Sequence, residues 1–177
     1  MSATDVLFET LRLKVRLLTE GDLDFLVELL NTPGFLRHIG DRQVRTRGDA
    51  LRYLQIGPQA SYARHGHGLY AVDLKDTMQP IGMCGLLKRD ALDAPDIGYA
   101  FLPQHEGRGY AHEAAAATLR HARDVLGLPR VLAIVSPGNA RSIHLLEKLG
   151  LRLEGRLTLP DHGGESLLFA PALPPTS

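Results

Sequence analysis

The sequence predicts a single α/β domain of sandwich type, on three observations. The run Asp96–Val125 reads as a strand, a glycine-rich turn and a long alanine-rich helix. Strands of period two and of apolar-run type alternate with capped, amphipathic helices along the rest of the chain. At 177 residues and 44% hydrophobic content, one core can form without disulfide or metal support. No linker or internal repeat divides the chain.

Leu11–Leu17 alternates apolar residues with Arg12, Lys14 and Arg16, the pattern of a half-buried strand with its basic residues outward. Thr19 and Asp22 form a capping box that starts a helix running to Leu30, where Asn31-Thr32-Pro33-Gly34 stops it. The basic stretch Arg37–Arg47 leads to a second helix, capped by Thr46 and Asp49. That helix carries Leu51, Leu54 and Ile56 and is expected to end at Gly57-Pro58. Strands follow at Leu69–Leu74 and Pro80–Leu87, the latter enclosing the single cysteine, Cys84, as a buried inert thiol. His65 and His67 have no Cys, Asp or Glu at metal-ligand spacing, so no metal is expected.

Strand Asp96–Leu102 enters the turn Gln104–Gly109. The following helix, from Tyr110, places Ala111, Ala115, Thr118, Ala122 and Leu126 on one face, and Gly127 and Pro129 end it. Arg130–Val135 is an apolar strand. Asn139 then caps a helix with Ile143, Leu146 and Leu149 inward and Gly150 at its end. Arg152–Leu159 and Leu167–Ala170 make a last strand pair around the loop Asp161–Glu165. The core is expected to span residues 8–170, with a disordered proline-rich tail at 171–177.

Glycines where a strand turns into a helix leave the first helical amides open, a ready site for phosphate or pyrophosphate. The turn is not the phosphate loop of nucleotide hydrolases, because no Gly-Lys-Ser/Thr follows at the right spacing. The dinucleotide pattern fails too, since His112 stands at its third glycine. The pattern that remains is Q-x-x-G-x-G, on Gln104, Gly107 and Gly109. With it stands N-x-x-S-x-x-L-x-E-K-L-G, on Asn139, Ser142, Leu145, Glu147, Lys148, Leu149 and Gly150.

In these two motifs the chain resembles the GNAT superfamily of N-acetyltransferases. Phe8-Glu9-Thr10, Arg12-Leu13 and Arg16 resemble the branch that includes the ribosomal-protein N-terminal alanine acetyltransferases. The resemblance implies a mixed, mostly antiparallel sheet of six or seven strands with about four helices. It also implies that strand Asp96–Leu102 splays from the next. It implies acetyl-CoA as co-substrate, held by Phe101, Leu102, Gln104, His105, Glu106, Gly107, Arg108, Gly109, Tyr110, Ala111, Asn139 and Ser142. Many members carry a tyrosine, the proton donor for the departing thiolate, where this chain has Leu146. The branch uses a serine at the place of Ser142, which becomes the candidate donor; the alternative is that Ser142 only bonds a free amide at the helix start. Asp96 becomes the candidate base, against the alternative of a strand-end charge positioned by solvent.

The acceptor implied is a primary amine, from a peptide N-terminus or a small molecule, taken by a monomer or homodimer. The stretch Arg37–Arg47 is one lip of the acceptor cleft or simply a solvated loop, and Asp161–Glu165 is the other lip. A basic lip disfavours polycations. A non-catalytic acyl-CoA-binding module is the competing class. Twenty basic residues balance twenty acidic ones, which disfavours nucleic acid and anionic membrane as partners. One cysteine and no signal peptide fit a reducing cytoplasm. A Ser136–His162–Asp161 hydrolase triad is disfavoured by the lack of a G-x-S-x-G elbow.

Overall fold

The computed structural model describes residues 5–160 and 164–172. They form one eight-stranded sheet, β1 (Val6–Glu9), β2 (Leu13–Arg16), β3 (Leu69–Leu74), β4 (Pro80–Leu87), β5 (Asp96–Phe101), β6 (Leu132–Val135), β7 (Leu151–Thr158) and β8 (Glu165–Pro171). Their spatial order is β1-β2-β3-β4-β5-β6-β8-β7, and every pair is antiparallel except β5 beside β6. The sheet has one strand more than the sequence led us to expect. The extra one is β1, whose four residues are too few to show a period. The expected strand Leu11–Leu17 contracts to β2, because Leu11 is 88% exposed in the connecting turn.

Arg16 departs from the expected alternation. It is buried, and its guanidinium donates to Asp22 at 2.8 and 2.9 Å and to Asp73 at 2.6 and 3.1 Å. A cation can sit there because both carboxylates face it in fork geometry.

The Thr19–Asp22 capping box forms as expected and leads through a short 3-10 turn into α1 (Leu23–Leu30). The residues that stop α1 also start α2 (Pro33–His38). Thr32 caps it and Pro33 opens it, a position where a missing N–H costs nothing. α3 (Arg47–Leu54) has its capping box on Thr46 and Asp49. It does not stop at Gly57-Pro58. A π-turn over Gln55–Gln59 absorbs the proline and continues into α4 (Ala60–His65), which ends at left-handed Gly66. Ile56 accordingly faces outward, 73% exposed.

α1–α3 pack on one face of the sheet, against Ala71, Met83 and Leu102. α5 (Tyr110–Asp124) packs on the other, with Ala114, Ala115 and Ala122 against Tyr70, Val72 and Cys84. Ala111 is only half-buried at the start of that stripe. α6 (Ala140–Lys148) lies over β6 and β7 with Leu146 buried. Burial pushes the Cys84 thiol up to about 12, so it is inert. No helix among the described residues is long and apolar enough to cross a membrane.

β5 and β6 pair only at Asp96–Leu132 and Ile97–Ala133 and then part. The remaining four residues of β5 keep their β4 partners and border an opening on the other side.

Candidate active site

At the mouth of that opening, a 3-10 turn (Pro103–His105) leads into the glycine turn. Gly107 and Gly109 take φ of 77° and 82°, the left-handed region that side chains disfavour. Gly109 caps α5 without any side-chain bond, so the first amides of a fifteen-residue helix stay open. The buried Nδ1 of His105 also lacks a partner among the described residues.

Arg12 braces this turn from outside. Its guanidinium lies 4.3 Å from the Tyr110 ring centroid, Nε donates to Glu113 at 2.7 Å and Nη1 to the Arg108 carbonyl at 2.9 Å. Glu113 also accepts from Thr10 and from the Arg12 amide. A Cβ on Gly109 would come within 3.3 Å of Arg12.

Just past β5 the Leu102 N–H donates to the Ile81 carbonyl and the Leu102 carbonyl accepts from the His105 N–H. The Leu102 N–H is therefore committed within the chain, and Leu102 does not line the cleft. Peptide groups alternate sides along a strand, so those of Tyr99 and Phe101 turn into the opening. Gln104 and Arg108 are exposed and do not line the cleft. His105, Glu106, Gly107, Gly109, Tyr110 and Ala111 do line it.

From α6, Asn139 Oδ1 accepts from the Ser142 N–H at 3.2 Å. The Ser142 hydroxyl itself shares a 2.6 Å hydrogen bond with Tyr99, across the opening on β5. Burial pushes the Tyr99 phenol up to about 12, with the Ser142 bond opposing, so it keeps its proton near neutral pH. The sequence reading missed Tyr99. Its only signal there is a place on the Ile97–Tyr99–Phe101 face of the strand.

Asp96 is 2% exposed and accepts from Arg89 at 3.0 Å. Burial pushes its carboxyl up to about 6 despite the guanidinium beside it. It is not a solvent-positioned strand-end charge. Leu146, at the place of the usual tyrosine, is buried and has no proton to give.

These groups line one cleft of about 930 Å³. The basic stretch divides between the two readings the sequence left open. His38 and Arg42 face the cleft, whereas Arg45 pairs with Asp41 and Arg47 with Asp24 at the surface. Asp161, His162 and Gly163 of the other lip, and residues 173–177 of the expected tail, lie outside the described residues; Pro171, expected in that tail, instead ends β8 opposite Leu151, and Glu165 pairs with Arg156.

Residues 12–152 match the family model of the acetyltransferase (GNAT) domain, most of the chain. The chain belongs to the GNAT acetyltransferases. It is 27% identical over 153 residues to YoaA of Bacillus subtilis, described as an uncharacterized N-acetyltransferase, covering 85% of each. It spans 52% of a further Bacillus subtilis relative, YkkB. An acetyltransferase structure from Agrobacterium tumefaciens superposes with a TM-score of 0.78 at 27% identity, over 94% of both chains. The ribosomal-protein-S5-alanine acetyltransferase of Vibrio fischeri shares the fold, with a TM-score of 0.69 at 23% identity over 94% of this chain and 96% of that one. In this GNAT chain the splayed strands, the glycine turn and the capped α6 converge on one opening, as the two sequence motifs implied.

Proposed function

We propose that this GNAT chain moves an acetyl group from acetyl-CoA to a primary amine, of a peptide N-terminus or a small molecule, by direct attack. One observation carries the reading: a single cleft joins open helix-start amides to the Ser142–Tyr99 pair through a gap between splayed strands. The α5 amides with Gly107 and Gly109 suit the pyrophosphate. Residues Tyr99–Phe101 and Asn139 suit the pantetheine arm. Bound there, acetyl-CoA supplies an activated acyl group.

The protein's own part is positioning and proton handling. The Phe101 amide donates toward the acyl carbonyl. Asp96, mostly ionised at neutral pH, takes the amine's proton through water. Ser142, backed by Tyr99, supplies a proton to the leaving thiolate. A thiol-release screen with acetyl-CoA against N-terminal peptides, free amino acids, polyamines and aminoglycosides tests the proposal. Release that follows the amine supports it; none with any amine opposes it. A second reading, a module that binds acyl-CoA without turnover, rests on Leu146 standing where relatives carry the donor. It expects CoA binding with no amine-dependent release.

A further inference from the structure

The acceptor half of the cleft has a charge that the chain as a whole does not. Its residues come from α2 and the loop after it, from α3 and α4, and from the loop that follows β4. Arg42, Arg64, Lys88 and Arg89 line it, with His38 and His65 between them. The chain overall is neutral, twenty basic against twenty acidic residues, so this excess is local. Among the described residues two carboxylates line the cleft, Asp96 and Glu106. Asp96 is buried against Arg89, and Glu106 pairs with Arg141 on the glycine-turn side. Among the described residues neither Arg42 nor Arg64 has a carboxylate within salt-bridge reach, although Arg45 and Arg47 nearby are both paired. Lys88 donates to the carbonyls of Arg89 and Leu92, which fix its position, and among the described residues it makes no salt bridge.

We infer that this GNAT cleft selects acceptor amines that also carry an anionic group, a carboxylate or a phosphate, held by Arg42 and Arg64. The inference rests on the acetyl-transfer reading and names its substrate class. Two physical effects favour such an acceptor. Guanidinium groups bind carboxylate and phosphate in fork geometry, which orients the amine as well as holding it. Positive charge near the amine also disfavours its ammonium form, so more of it is the neutral nucleophile. A polycation meets the same charges as repulsion.

Matched pairs of acceptors test this: a free amino acid against its C-terminal amide, and O-phosphoethanolamine against ethanolamine, with spermidine alongside. Turnover is followed by thiol release, and binding by calorimetry on the CoA-loaded protein. The anionic member of a pair should show kcat/KM at least about tenfold higher, and added salt should narrow the difference. Whichever pair shows the larger ratio identifies the anion. Arg42→Ala and Arg64→Ala should each shrink that ratio several-fold, and Arg64→Glu should shrink it further. Equal rates within both pairs, a preference for spermidine, or ratios unmoved by the variants would overturn the inference while leaving acetyl transfer standing. Anion-dependent binding that the variants abolish, with no thiol release from any amine, would uphold the selectivity and remove the acetyl-transfer reading. No binding and no turnover of either anionic amine would overturn the inference.

Discussion

Ser142 and Tyr99 divide one task between two elements. The serine stands in the first turn of α6, next to its cap, and the tyrosine reaches it from the open edge of β5 at 2.6 Å. If the pair protonates the leaving thiolate, Ser142→Ala should lower turnover roughly 10- to 1,000-fold with acetyl-CoA affinity nearly unchanged. Tyr99→Phe should cost about tenfold, because the serine remains but loses the group that orients it. Steady-state rates and calorimetry on the same preparations check this; equal losses of binding and rate would mean that the pair only supports structure. Asp96 has a different signature. With its carboxyl pushed up to about 6, its ionised fraction rises as pH climbs through that value. Turnover should therefore fall below about pH 6 and level off above it, and Asp96→Asn should remove that limb and recover in part at high pH. A variant profile parallel to the wild type would assign Asp96 to holding Arg89. The positions of Ser142 and Asp96 beside the cleft were legible in the sequence because each occupies a motif or strand position; their catalytic roles are the proposal that these variants test. Tyr99 was not legible, since its bond spans 43 positions and depends on how far β5 parts from β6.

Among the elements, the glycine turn is the most constrained. Its backbone demands positive φ at two positions, and Arg12 fixes it against Tyr110, Glu113 and the Arg108 carbonyl. Gly109→Val should abolish acetyl-CoA binding, because the side chain is disfavoured at that φ and faces Arg12. Arg12→Ala should weaken acetyl-CoA binding severalfold although Arg12 does not line the cleft. Calorimetry on both variants, with melting curves to verify folding, decides; unchanged affinity in Gly109→Val would remove the pyrophosphate from this turn. The turn, its strand and its helix were legible because glycine placement, period and capping agree there. α2 and the π-turn were not. Thr32-Pro33 both ends and begins a helix, and Pro58 carries a breaker signal that the wider turn accommodates.

Across the whole molecule, Arg16 joins three separated parts: β2, the turn at Asp22 that opens α1, and Asp73 on β3. It thereby ties the layer of α1–α3 to the sheet whose far side carries the glycine turn. Arg16→Ala leaves two buried carboxylates facing each other and should destabilise the fold by about 3–5 kcal/mol, read from denaturant unfolding. Alternation alone could not reveal this network, because a basic residue in a period-two strand reads as outward until its partners are placed. The architecture as a whole was legible from the order of its elements, and the cleft from the two motifs that flank it. The lining charge inferred to select acceptors was legible only in part, since it depends on which residues of the basic stretch pair at the surface and on Arg64, Lys88 and Arg89, which the fold brings to the same cleft.

The account turns on acetyl passing from acetyl-CoA to the amine within one cleft, without a stop on the protein. Initial rates measured over a grid of acetyl-CoA and acceptor concentrations test that directly. Intersecting reciprocal plots, with the N-acetylated amine formed in step with free thiol, are the expected result. Parallel plots, or thiol release that does not depend on the amine, would contradict it.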